Sequence, residues 1–369
     1  MSASRASSVA SGTTSAAMGE RRMRAGVYRG AGHVTVEDVA VPQIGAGEVL
    51  LRVAACGVCG TDIKKIHHGF VRAPQIFGHE IAGTVVEVGT GVTGWKPGDR
   101  AISFHHVPCG ACFYCERKLY SQCATYKKTG VTAGFDPNGG GFAQYVRVMP
   151  WVVERGMEAI PAGVSFLEAS FVEPVNTCWK AVRKARVAPG EDVLVVGQGP
   201  IGLLLAMLAK IEGARVFTSD PMATRRERSV ACGAAESFDP AAVNVRDMMR
   251  ARTDGRGADA VLLAVPIPAL VDEGLEIARP GGRVLMFAHN DPVMRVEFAA
   301  HHAGVEEKEL LGSYSADADL QGESARLVFS RQLPLAALVT HTFSLEEFPR
   351  AIDLAAHPAA DSCKVVITP

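Results

Sequence analysis

The first half of the chain alternates short apolar runs with glycine and proline. From Met23 to about Tyr145 the apolar residues fall in runs such as EVLLRVAAC, IAGTVVEVG and, after the turn at Gly139 to Gly141, FAQYVRV. Runs of this length bounded by turn residues are typical of β-strands. This half is therefore predicted to be built mainly of strands.

The second half has a different rhythm, in which strands and helices alternate. Between about Trp179 and Gly312 the order is VLVVG, the helix-like PIGLLLAMLAKIEG, then RVFTSD, and later AVLLAV and RVLMFA with helical stretches between them. Alternation of this kind predicts an α/β fold with a parallel sheet covered by helices on both faces. From about Ser315 the chain has two more helical patterns, SARLVFSRQ and EEFPRAIDLAA, and a closing strand, CKVVIT.

Composition sets limits on the class of protein. A length of 369 residues suggests two domains, and 48% hydrophobic with 21% charged residues is typical of a soluble globular protein. The formal net charge of -1 gives no electrostatic reason to expect nucleic acid or an anionic membrane as a partner. The apolar stretch from Val193 to Ile211 contains glycine, glutamine and proline, which indicates a buried strand, turn and helix rather than a membrane span.

The beginning of the chain has a composition of its own. Residues 1–22 are rich in serine, alanine, threonine and glycine and contain no apolar core, so we expect a disordered extension rather than a signal peptide. Translation starting at Met18 or Met23 is the alternative.

Four cysteines lie close together in the middle of the first half: Cys109, Cys112, Cys115 and Cys123. Thiolate sulfur is a soft ligand, and four thiolates at short loop spacings close a tetrahedron around one Zn²⁺ with no open position. Two local disulfides are the alternative, but they suit small secreted scaffolds that lack a sufficient core. The other five cysteines form no paired framework, which favours a reducing cytoplasm. The cluster predicts a structural zinc site.

A glycine-rich turn follows the first strand of the alternating half. The run Gly197-Gln198-Gly199-Pro200-Ile201-Gly202 joins a β-branched strand to an apolar helix. In this context Gly197 makes a tight turn, Gly199 lets the backbone approach a pyrophosphate, and Gly202 allows close helix packing. The helix N-terminus then faces the phosphates.

An acidic residue at the end of the next strand completes the sequence pattern of a dinucleotide-binding site. Asp220 is expected to accept hydrogen bonds from the adenosine ribose and to repel a 2′-phosphate, which favours NAD over NADP. The alternative role of Asp220 is that of a turn residue before Pro221. Arg225 and Arg226 keep NADP open as a second choice, and Arg225 is a further candidate for cofactor binding.

Three short groups contain residues suited to an open zinc site: Cys59-Gly60-Thr61-Asp62, Gly78-His79-Glu80 and Glu173-Pro174. Cysteine, histidine and carboxylate are zinc ligands, and catalytic sites keep one coordination position open. Each group also has a structural explanation when taken alone, because a single cysteine or histidine is commonly part of a core. Distance along the chain cannot show that the groups converge.

Together these motifs resemble the zinc-containing medium-chain dehydrogenase/reductase family, in the branch of sorbitol (polyol) and threonine dehydrogenases. Further matching pieces, in the family's order, are Pro97-Gly98-Asp99-Arg100, the four cysteines and Gly141-Phe142-Ala143-Gln144-Tyr145. The resemblance implies a GroES-like, mainly-β catalytic domain formed by residues 23–176 and 313–369. It implies a Rossmann domain at residues 177–312, with the active site in the cleft between the two.

The resemblance also assigns roles to single residues. Cys59 and His79 match ligands of a catalytic zinc, and Glu80 and Glu173 match carboxylates that ligate the metal directly or through water. Asp62 is expected to orient His79, and Thr61 to hold the substrate hydroxyl and begin a proton relay.

The implied reaction is hydride transfer between a secondary alcohol and NAD, with two zinc ions per chain, one catalytic and one structural. A small-molecule alcohol is the implied partner, and homodimers or homotetramers are usual in the family. Lys64, Lys65 and Ser315 stand where some relatives carry a histidine, an aromatic residue and an arginine. These differences argue against sorbitol itself as the substrate. The resemblance implies a secondary alcohol, namely a polyol, cyclitol or amino alcohol, with threonine-type or simple alcohol oxidation as alternatives.

Two other classes are compatible with part of the sequence. A zinc-dependent binding module would use the cysteine cluster to contact protein or nucleic acid, but the near-neutral charge and the lack of a basic stripe argue against nucleic acid. A zinc-free quinone or enoyl reductase of the same superfamily would lack the Cys59 and His79 ligands.

Overall fold

The computed structural model of the protein describes residues 21–69, 71–104, 107–126, 131–132, 140–287 and 293–369. Residues 1–20, most of the predicted N-terminal extension, lie outside the described residues. The predicted end of that extension at residue 22 is wrong, because Arg22 is the first residue of a β-strand.

Strands dominate the first half of the chain, as predicted. They are β1 (Arg22–Gly30), β2 (His33–Ala40), β3 (Val49–Gly57), β4 (Glu80–Val88), β5 (Arg100–Ser103), β6 (Val131–Thr132), β7 (Tyr145–Val148) and β8 (Met157–Ala159). Four short helices interrupt them: α1 (Gly60–His68), α2 (Phe113–Glu116), α3 (Pro150–Arg155) and α4 (Phe166–Ala169). A longer helix, α5 (Val172–Lys184), leads into the second half.

The predicted strand–helix alternation follows. Its strands are β9 (Asp192–Val196), β10 (Arg215–Ser219), β11 (Glu236–Phe238), β12 (Ala258–Leu263), β13 (Ala278–Met286) and β14 (Glu309–Gly312). Its helices are α6 (Pro200–Ile211), α7 (Ala223–Ala231), α8 (Val245–Arg252), α9 (Ala269–Ile277) and α10 (His301–Gly304). The tail consists of α11 (Gln321–Phe329), β15 (Val339–Phe343), α12 (Phe348–Ala356) and β16 (Lys364–Ile367).

The six strands of the second half form one parallel sheet in the order β11-β10-β9-β12-β13-β14. The chain runs outward from β9 in one direction and then returns to add β12 on its other side. This reversal is the position at which open α/β sheets bind ligands, beyond the carboxyl ends of the strands. Apolar side chains from the helices cover both faces of the sheet, which explains the nearly continuous apolar strands.

The last strand of the chain joins the sheet of the first half. In that sheet β16 pairs antiparallel with β3, with Val366 opposite Gly57. Since β3 also pairs with β4, Gly57 lies opposite Glu80 on its other side. Both ends of the chain therefore build one domain, and residues far apart in the sequence meet at the end of β3.

Helix α5 connects the two halves. The predicted boundary between residues 176 and 177 falls inside this continuous helix. The predicted domain limits stay predictions. In the described part of the chain, no helix is both long enough and apolar enough to cross a membrane.

Candidate active site and metal centres

Cys59 lies at the start of α1 and caps that helix. Its Sγ accepts a hydrogen bond from the Thr61 amide at 3.4 Å, and the Asp62 carboxylate accepts one from the Cys59 amide at 3.1 Å. This reciprocal cap satisfies two of the amides that a helix N-terminus leaves without partners. The Cys-Gly-Thr-Asp group is thus a helix start that fixes the direction of the Cys59 side chain.

His79 and Glu80 meet Cys59 at the beginning of β4. The ligand atoms of these three residues all lie within 4.8 Å of one another. Asp62 is buried behind His79, with its Oδ1 3.3 Å from the Nδ1 of the imidazole. An imidazole bound through Nδ1 in this way uses Nε2 as its ligand nitrogen. A thiolate, an imidazole and a carboxylate around one point fit a zinc ion.

Glu173 enters the same region from the first turn of α5. Burial raises the pKa of this carboxyl group to about 7, while the charges of His79 and Glu80 act on it in opposite directions. Glu173 does not belong to the group whose ligand atoms lie within 4.8 Å of one another. The structure therefore brings three predicted ligands together and places the fourth in the surrounding charged cluster.

A lysine that sequence reasoning missed lies against Glu80. The Nζ of Lys364 is 2.7 Å from Oε1 and 2.5 Å from Oε2 of that carboxylate, and it also donates to the Val58 carbonyl oxygen at 3.1 Å. Burial would lower the pKa of Lys364, but the Glu80 charge raises it. The sequence indicates this residue only by a lysine near the start of the otherwise apolar closing strand CKVVIT.

The space for this ion pair is made by Gly57. A Cβ atom at this position would lie 1.9 Å from the Oε2 of Glu80 and 2.8 Å from the Cε of Lys364. No side chain larger than hydrogen fits there without moving the pair. The glycine is therefore part of the site, although its backbone conformation does not require glycine.

The four-cysteine cluster has the geometry of a closed metal site. The Sγ–Sγ distances are 3.9 Å for Cys109 to Cys115, 3.6 Å for Cys112 to Cys115 and 3.6 Å for Cys123 to Cys109. Sulfurs about 2.3 Å from a central zinc in a tetrahedron lie about 3.8 Å apart. The distances are too long for disulfide bonds, and none of the nine cysteines is joined to another by a disulfide.

The glycine-rich turn has the three features predicted for it. Gly197 has a φ of 87°, in the left-handed region that favours glycine. A Cβ at Gly199 would meet no atom within 4 Å, so the backbone is open to a ligand there. At Gly202 a Cβ would lie 1.7 Å from the Gly197 carbonyl oxygen, which shows the close packing of turn and helix. Pro200 and Ile201 begin α6.

Asp220 is buried at the end of β10, where it has the turn role considered for it. Its Oδ2 accepts a hydrogen bond from the Gln198 amide at 2.7 Å, and its Oδ1 accepts one from the Met222 amide at 2.8 Å. It therefore shapes the turn. It also lines, with Gly197 and Arg225, a cavity of about 310 Å³ beyond the carboxyl ends of the strands.

Comparison with known proteins agrees with this arrangement. Residues 45–155 match the model of the alcohol dehydrogenase GroES-like domain, and residues 200–329 match that of zinc-binding dehydrogenases. A sorbitol dehydrogenase of Halalkalibacterium halodurans is 31% identical over 92% of this chain and 97% of its own length. An L-threonine 3-dehydrogenase of Pyrococcus abyssi is 31% identical over 86% of this chain and 90% of its own.

A solved structure agrees over nearly the whole chain. A zinc-binding dehydrogenase from Sinorhizobium meliloti, crystallised with NADP, superposes with a TM-score of 0.86 at 29% identity, covering 95% of this chain and 100% of its own. The chain belongs to the zinc-binding alcohol dehydrogenase family of medium-chain dehydrogenases. It is an oxidoreductase that acts on alcohols with zinc and a nicotinamide dinucleotide as cofactors.

Proposed function

We propose that the chain oxidises a secondary alcohol, namely a polyol, cyclitol or amino alcohol, with NAD as the hydride acceptor. The observation that carries this proposal is the convergence of Cys59, His79 and Glu80 within 4.8 Å, separate from the four-cysteine site. A zinc ion held there supplies a Lewis acid that stabilises the alkoxide form of the substrate. Sorbitol and threonine dehydrogenases among the relatives support the substrate class.

The chain's own residues perform the other tasks in this proposal. Asp62 holds the His79 ring through Nδ1, which fixes both the tautomer and the orientation of the ligand nitrogen. Thr61, two residues after Cys59 and half-buried, would hold the substrate hydroxyl and begin the proton relay towards solvent. Lys364 forms an ion pair with Glu80 and so gives this buried carboxylate a partner of opposite charge.

The choice of NAD rests on Asp220. Its buried carboxylate lies at the edge of the cavity that suits the adenosine half of the cofactor, where it would bind ribose hydroxyls and repel a 2′-phosphate. NADP is the second candidate, because Arg225 lines the same cavity and the Sinorhizobium relative was crystallised with NADP.

The proposal also covers the cellular location, the oligomeric state and the partners of the chain. The lack of any disulfide pairing among the nine cysteines supports a cytoplasmic location. A homodimer or homotetramer is proposed from the family. Neither nucleic acid nor a membrane is proposed as a partner, because the net charge of -1 provides no attraction to either.

Metal analysis and a substrate panel test the proposal together. We expect two zinc ions per chain, one of which is lost in a Cys59→Ser variant. Reduction of NAD should be measured with polyols, cyclitols, amino alcohols and primary alcohols, with and without a chelator. A chain that keeps both zinc ions after Cys59→Ser, or that oxidises only primary alcohols, would contradict the proposed site or substrate class.

A further inference from the structure

The segment after β14 begins at the carboxyl end of the parallel sheet. A dinucleotide bound beyond the carboxyl ends of these strands extends from Gly197 and Asp220 across the reversal between β9 and β12. Its nicotinamide half therefore faces the carboxyl ends of β12 to β14. Ser313 directly follows β14, and its amide donates to the Met286 carbonyl oxygen at the end of β13 at 3.0 Å. The turn that follows Ser313 therefore lies at the end of the sheet where the nicotinamide half would bind.

Two side chains from α5 hold this turn from one side. Asn176 bonds to both backbone groups of Asp317, accepting from the amide at 2.7 Å and donating to the carbonyl oxygen at 2.9 Å. Lys180, four residues further along the same helix face, donates to the carbonyl oxygens of Tyr314 at 3.0 Å and Ala316 at 3.4 Å. The turn is thereby fixed to the helix that begins at the active site.

A third contact comes from the four-cysteine lobe, which consists of residues 109–126. Tyr126 follows the last cysteine of the cluster and is completely buried against Cys115 and Cys123. Its hydroxyl donates to the Ala316 carbonyl oxygen at 3.2 Å and lies 3.2 Å from the Oγ of Ser315. Since a phenol has one proton to donate, Ser315 must be the donor in the second hydrogen bond.

Ser315 is the residue of this turn that most needs support. It has a φ of 58°, a left-handed conformation that residues other than glycine adopt at some cost. The hydrogen bond from its hydroxyl to Tyr126 joins two residues that are 189 positions apart in the chain and connects the four-cysteine lobe with this turn. The lobe therefore does more than stabilise its own fold.

We infer that Tyr126 is a positioning residue for cofactor binding, because its hydroxyl fixes the Ser315–Ala316 turn from the four-cysteine lobe. It acts through the turn and does not touch the reacting atoms. The inference rests on the proposed binding of a nicotinamide dinucleotide, and titration of the wild-type chain with NADH and NADPH tests that first. A wild-type chain that binds neither would contradict the proposed function and this inference with it.

The test of the inference itself is Tyr126→Phe, which removes the hydroxyl and keeps the ring in the lobe. The dissociation constant for NADH, measured by fluorescence titration, should rise about 3- to 10-fold, as expected for one lost hydrogen bond. The zinc content should remain two per chain. Tyr114→Phe, on the exposed surface of the same lobe, is the matched control and should leave NADH affinity unchanged.

A second variant separates positioning from a general loss of stability. Ser315→Ala removes the same hydrogen bond without touching the lobe, so its effect on NADH affinity should be similar. The double variant should be no weaker than either single one. Unchanged NADH affinity in both single variants, or losses that add in the double variant, would overturn the inference. If the Tyr126→Phe variant contains fewer than two zinc ions per chain, the inference is judged from the NADH affinity of Ser315→Ala alone.

Discussion

Lys364 and Glu80 form a buried ion pair across 284 positions of the chain, with Nζ 2.7 Å from Oε1. Neither side chain is more than 5% exposed. Two charges removed from water in this way depend on each other, because either one alone would be left unpaired in a medium of low polarity. The pair also fixes a carboxylate at the edge of the candidate catalytic zinc site.

Replacing Lys364 with methionine should destabilise the protein strongly. The change leaves the buried Glu80 carboxylate without its lysine partner, and we expect the free energy of unfolding to fall by about 3–5 kcal/mol in urea denaturation. Lys118→Met, which breaks the exposed pair with Asp319, is the control and should cost at most about 1 kcal/mol. The double variant Glu80→Gln/Lys364→Met should recover part of the loss. Equal effects of the two lysine variants would contradict the role of burial.

Gly57→Ala should disturb the same pair by steric overlap. The new methyl group would lie 1.9 Å from the Oε2 of Glu80, so that the carboxylate must move. We expect a destabilisation of about 1–3 kcal/mol, as for other overpacked sites, together with loss of most dehydrogenase activity. Gly304→Ala in α10 is the matched control, since a Cβ there meets no atom within 4 Å and the residue is not part of the candidate zinc site. Normal activity in Gly57→Ala would show that the position of Glu80 is unimportant.

Asp220→Asn should weaken the preference for NAD over NADP. Asparagine keeps the size and one acceptor for the turn amides, but it removes the charge that repels a 2′-phosphate. The ratio of kcat/KM for NAD to that for NADP should fall about tenfold or more, a change of about 1.4 kcal/mol. Glu227→Gln removes a charge from the exposed face of α7 and should leave the ratio unchanged. A chain that already prefers NADP would refute the assignment.

Glu306 gives a pH-dependent contribution to stability outside the active site. Lys308 and His302 lower the pKa of its carboxyl group to about 2. A lowered folded-state pKa stabilises the protein above the ordinary pKa of 4.5, and this contribution is lost as the pH falls towards 2. Glu306→Gln should therefore be less stable than wild type at pH 7. The difference, measured by urea denaturation, should narrow below about pH 5. Glu307→Gln, at an exposed neighbour, should show no such dependence.

The fold class and the family were predictable from the sequence and are confirmed. The reason is that their signals are local. The strand–helix alternation, the glycine-rich turn and the spacing of the four cysteines each depend on residues a few positions apart. Short-range periodicity and loop spacing are sufficient to indicate these strands, helices and turns, because they do not depend on contacts between distant parts of the chain. The roles of single residues at the catalytic zinc site remain predictions, although the structure places Cys59, His79 and Glu80 together.

The sequence by itself determined the α/β architecture, the four-cysteine site and the nucleotide-binding turn, because each is encoded within one continuous segment. Only the tertiary structure decided that Lys364 is the partner of Glu80 and that Tyr126 supports Ser315. These contacts depend on the register of β16 against β3 and on the packing of the cysteine lobe against the turn after β14. Burial makes these contacts important for stability, because a charged group or a hydroxyl that is removed from water costs free energy unless it has a hydrogen-bonding or charged partner.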